Sequence, residues 1–89
     1  YSIQALIEQK INAFEHRTAA RDLYDISFLT RQYANHFSQA SIRKLAELTA
    51  DIDTVEQRFQ EAFEEDEILD ASRLMEIIFQ VTEFVKQHP

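Results

Sequence analysis

An all-α fold, a compact bundle of about five helices, is what this sequence predicts, and two observations carry the prediction. The 89 residues contain no glycine and a single proline at the very end. Hairpin turns need residues at positive φ, so a β-rich fold is disfavoured. The apolar residues also recur at spacings of three, four and seven, the period of a helix with one buried face. A chain of this length makes one small helical domain, residues 1–89. It begins at Tyr1, already inside a helical pattern, and is read as a fragment or processed piece of something longer.

Taken in order, Ser2 is a plausible N-cap for a first helix reaching about His16, with Ile3, Leu6, Ile7, Ile11, Ala13 and Phe14 forming its stripe. A second helix is expected to start near Asp22 as N-cap, with Asp25 three positions on completing a box-like cap. It carries Ile26, Leu29 and Tyr33 on one face and Tyr24, Phe28 and Arg31 elsewhere, as suits a central helix. Residues 33–37 read as a turn. Ser38 then caps a third helix with Ile42, Leu45, Ala46 and Thr49 inward. Asp53 followed by Glu56 is a capping-box signature for a fourth helix bearing Val55, Phe59, Ala62 and Phe63. The last helix, starting at Asp66 or Asp70, has the strongest stripe: Leu74, Ile77, Ile78, Val81, Phe84 and Val85. Phe14, Leu29, Leu45, Phe59, Ile78 and Val81 are expected to be buried, and the acidic run 64–67 exposed.

Charge is unevenly placed. Residues 1–50 hold six Lys/Arg against five Asp/Glu, and residues 51–89 three against eleven, within a net charge of −7. The acidic half disfavours sequence-independent binding of nucleic acid. There is no cysteine, which removes disulfides and thiolate metal sites and fits a cytoplasmic protein. No apolar run approaches the roughly 20 residues of a membrane span. His16, His36 and His88 lack the spacing of a zinc site, so no metal ligands are assigned.

The anomaly lies in the first half. Lys10 falls within about 20° of the centre of the first helix's apolar stripe, and Arg17, seven residues on, lies almost directly below it. Cations on a core-facing stripe need water, a carboxylate or an anionic ligand. One reading is structural, with long side chains snorkelling out over the core. The other is a site: Lys10, Arg17, Arg21 and Asp22 converging on one cleft would suit phosphate, with guanidinium forks, a point charge and a carboxylate to orient one of them or take a proton.

The stretch Lys10-Ile11-Asn12-Ala13-Phe14, then Arg17, then Arg21-Asp22-Leu23-Tyr24-Asp25-Ile26 resembles a known pattern. In register it reads K-(hydrophobic)-x-A-(hydrophobic)-x-x-R-x-x-x-R-D-L-Y-D-(hydrophobic). That pattern belongs to the nucleotidyltransferase toxins of the abortive-infection AbiEii/AbiGii type, in the DNA polymerase β-like superfamily. The likeness covers residues 8–29, about a quarter of the chain; the remaining helices fit only by class. It implies that Lys10 and Asp22 match catalytic positions and that Arg17 and Arg21 match basic positions around the nucleotide phosphates. It further implies a bacterial enzyme transferring a nucleotidyl group from an NTP, with Mg²⁺, to an acceptor such as RNA, with a cognate antitoxin as partner.

One departure is large. Such enzymes need a Gly-Ser loop and an Asp-x-Asp pair, and the only Asp-x-Asp here, Asp51-Ile52-Asp53, reads as a helix cap. The fragment by itself is therefore expected to hold no cofactor and to catalyse nothing. The rival reading is a non-enzymatic helical interaction module, an antitoxin or adaptor, docking a basic partner on its acidic second half.

Overall fold

The computed structural model describes residues 2–88, and among these every regular element is helical. The helices are α1 (Ile3–His16), α2 (Ala20–Gln32), α3 (Gln39–Leu48), α4 (Ile52–Glu65) and α5 (Leu74–Gln87), with single 3₁₀ turns at Ala34–His36 and Ala71–Arg73. α2 and α5 pack together at the centre; α1 lies on α2 and α3, and α4 on α5 and α2. All six residues expected in the core are buried, with Phe14, Leu45, Phe59 and Val81 fully so. Glu64, Glu65 and Glu67 are exposed and Asp66 is half-buried.

Two caps fall where the serines place them. Ser2 Oγ accepts from Ala5 N–H at 3.0 Å and Ser38 Oγ from Ser41 N–H at 3.1 Å. Two others differ. α2 starts at Ala20, behind an extended Ala19 with no side-chain cap. Asp22 is in its first turn, because its carboxylate is turned back onto Arg17. α4 is capped by Asp51, which accepts from Thr54 N–H at 3.3 Å, and not by Asp53. The earlier start sets Ile52 one turn before buried Val55, both against the core. Asp66 and Asp70 do cap, but they cap the connection: Asp66 Oδ1 accepts from Ile68 and Leu69 N–H, and Asp70 Oδ1 from Ser72 N–H. α5 itself begins at Leu74, after the 3₁₀ turn.

No described residue has positive φ, so the described helices of this glycine-free chain end without a left-handed residue. At the end of α1 the open carbonyls are met by a distant side chain. Arg58, on α4, donates through Nη2 to the carbonyls of Phe14 and Arg17 and through Nε to Thr18 Oγ1. Its guanidinium carbon lies 5.3 Å from the Phe14 ring centroid and 4.9 Å from that of Phe59. One side chain thus caps α1, holds the connection to α2 and covers two core rings.

The capping carboxylates also set an acid limit. The Thr54 hydroxyl and N–H hold Asp51 below the usual carboxylate range, the Leu69 and Ile68 N–H groups do so for Asp66, and the Ser72 N–H and hydroxyl for Asp70. The Lys44 ammonium, 2.7 Å away, does so for Glu15. Folded pKa values below the unfolded ones mean stability that is complete above the ordinary carboxylate range. It is lost as pH falls through the lowered values. The melting temperature should therefore fall from about pH 4 downwards, and the fall should be shallower in Asp66→Asn; a rise on acidification would contradict these caps.

Candidate functional site

Arg17 is the C-cap of α1, its backbone already extended, and only two residues separate it from the start of α2. Its guanidinium therefore reaches forward over the first turn of α2. Nε donates to Asp22 Oδ2 at 2.7 Å and Nη2 to Oδ1 at 3.1 Å, a bidentate fork. The two partners differ in environment: Asp22 is 1% exposed, whereas the Arg17 side chain is 65% exposed. The carboxylate hydrogen bonds, and next its negative charge, raise the Arg17 pKa further, so the guanidinium is a permanent cation.

Arg17, Arg21 and Asp22 line one open cleft of about 420 Å³ at the α1–α2 connection, closed on its far side by Ala62, Glu65 and Asp66 at the end of α4. Arg21 is exposed, and its charge contributes to lowering the Asp66 pKa. No ion pair within 4 Å is seen for Arg21 among the described residues.

Lys10 does not join them. Seven residues on a helix separate it from Arg17 by about 10 Å along the axis. Its ammonium pairs instead with Asp25 at 2.9 Å, one turn into α2 from Asp22. It borders a separate groove of about 310 Å³ with Ile3, Leu6, Phe28 and Tyr33. The expectation of a single concave surface thus holds for three residues and fails for the fourth. Lys10 and Arg17 do share the α1–α2 seam, each facing a carboxylate of α2.

Two participants were not singled out in advance. Asp25 is not the cap partner that its spacing from Asp22 suggests but the Lys10 counter-ion. Arg58 stands three residues after Val55 and just before Phe59, a cation beside a core stripe like Lys10, which is the signal in the sequence that marks it.

The chain's own donors do not fit Mg²⁺. Asp51 is occupied as a cap, Asp53 is exposed in the first turn of α4, and no group of three or more His, Asp or Glu side chains converges among the described residues. No described helix is long and apolar enough to cross a membrane. Comparison of the chain with family models, with curated proteins and with solved structures gives no match.

Proposed function

We propose that this bundle is the C-terminal helical domain of a bacterial, cytoplasmic nucleotidyltransferase of the toxin type. In this reading the whole protein transfers a nucleotidyl group from an NTP to an acceptor such as RNA. The observation that supports it is the Arg17 fork: a guanidinium fixed by a buried carboxylate, yet mostly open to solvent, beside an exposed Arg21 in the same cleft. Arg17 and Arg21 bind triphosphate oxygens and offset their charge. Asp22 acts by orienting Arg17, since both its oxygens are taken. Lys10 lies outside the cleft, so its catalytic role rests on the resemblance alone. Mg²⁺ and its ligands belong to the other half of the enzyme.

Titrating the chain with NTP while following amide chemical shifts tests this. Shifts should centre on residues 17–22, and Arg21→Ala should weaken binding at least about tenfold, the loss of one charge-assisted contact. No perturbation there, together with an unimpaired parent enzyme carrying Arg21→Ala, would refute the reading.

A second reading, the interaction module, is favoured by the fact that Lys10 and Arg17 already have carboxylate partners. Lys10→Ala separates the two. A half-exposed pair of this kind is worth at most about 1 kcal/mol, so the melting temperature should barely move while transfer by the parent protein falls. Full transfer with a markedly lower melting temperature would favour the module.

A further inference from the structure

α5 buries one stripe and leaves another. Glu76, Phe79, Glu83 and Gln87 recur at spacings of three and four along its outer side, with Gln80 beside Phe79. Three large apolar side chains are exposed among the described residues, Phe28, Ile68 and Phe79, and Phe79 is 53% exposed. Phe79 lines a groove of about 670 Å³ between α5 and the end of α2. The opposite wall is Thr30, Arg31 and Ala34; Phe84 and His88 close the far end.

The groove is preformed. Ser27 Oγ donates to Gln80 Oε1, tying its floor to α2. The Phe84 ring is held by two others, His88 stacked 4.5 Å away and Phe37 tilted against it at 4.7 Å. Such a surface carries a knob and a hole side by side. It also carries opposite charges on its two flanks, Arg31 from α2 and Glu83 from α5, and neither is in an ion pair within 4 Å among the described residues. Glu76, by contrast, already holds Arg73 at 3.1 Å.

A two-fold axis turns these features into complements. In an isologous contact, residue i of one copy meets j of the other and j meets i. We infer that the α2–α5 groove takes a second copy of this chain, as a symmetric dimer. Phe79 of each copy enters the other's groove between Ala34 and Phe84, and Arg31 of each faces Glu83 of the other. This lies apart from the arginine cleft and goes beyond the nucleotidyltransferase reading.

Sedimentation equilibrium of the chain at physiological salt, where screening limits repulsion between two acidic copies to about 8 Å, is the test. A reversible monomer–dimer equilibrium is expected. Phe79→Asp should raise the dissociation constant at least about tenfold, as removal of a central aromatic anchor does, with helicity retained because the side chain is half outside the fold. Arg31→Glu and Glu83→Arg should each weaken the dimer, and the double variant should recover it. A monomer at millimolar concentration, a dimer indifferent to Phe79→Asp, or no recovery in the double variant would each overturn the inference.

Discussion

Phe59→Ala should cost about 3–5 kcal/mol of folding free energy, the range for removing a buried aromatic ring. For a domain of this size that is a large part of a total on the order of 4–13 kcal/mol. The reason lies in what the ring supports. Phe59 has no exposed surface, packs on Phe14 with ring centroids 5.4 Å apart, and forms the platform on which the Arg58 guanidinium rests. Removing it opens a cavity and also loosens the side chain that caps α1 and holds the α1–α2 connection. Urea denaturation followed by circular dichroism measures the loss. Phe28→Ala is the control: its ring is 41% exposed, so the same truncation there should cost far less. Equal losses at the two positions would show that the Phe14–Phe59–Arg58 cluster is not the keystone described.

The same cluster shows which parts of the fold could be read from the chain and which could not. Helix periodicity identified the inward residues, because Leu74, Ile77, Ile78 and Val81 can be buried together on one face only. Ser2 and Ser38 were legible as caps because a short hydroxyl at a helix start reaches little but the N–H three residues on. The aspartates were not. Asp22 and Asp53 each satisfy a local capping rule, but a carboxylate can serve a backbone N–H, a lysine or an arginine, and packing decides among them. α1 lies against α2, so Asp22 and Asp25 face Arg17 and Lys10. Asp51 stands one turn ahead of Val55 and takes the cap that the Asp53–Glu56 spacing had offered elsewhere.

The site was legible as an anomaly. Cations near an apolar stripe require a partner, and Lys10 and Arg17 each have one. That they would take separate partners was not legible, since only the axial rise between them places Lys10 beyond the cleft. Arg58 shows the same limit from the other side. Its partners are carbonyls some forty residues earlier, and no local pattern marks a helix end as waiting for a side chain from α4.

If the proposed nucleotidyltransferase function holds, Asp22→Asn in the parent protein should lower transfer at least tenfold, about 1.4 kcal/mol of transition-state stabilisation, while leaving the bundle folded. The substitution keeps the volume of a fully buried side chain and one acceptor oxygen, but it replaces the other with a donor facing Arg17. The fork becomes a single hydrogen bond and the guanidinium, mostly in solvent, is free to swing. Stability should suffer more from Arg17→Ala, which leaves the buried carboxylate without its two donors, than from Asp22→Ala, which releases a cation into water. Melting curves of the two alanine variants check that order, and single-turnover transfer by Asp22→Asn checks the function. Arg17→Ala and Asp22→Ala equal in stability, with transfer by Asp22→Asn intact, would mean that the pair neither anchors the α1–α2 connection nor presents a cation to phosphate. The expected pattern is unequal stability together with slow transfer, because one buried carboxylate performs both tasks: it receives Arg17 and aims it.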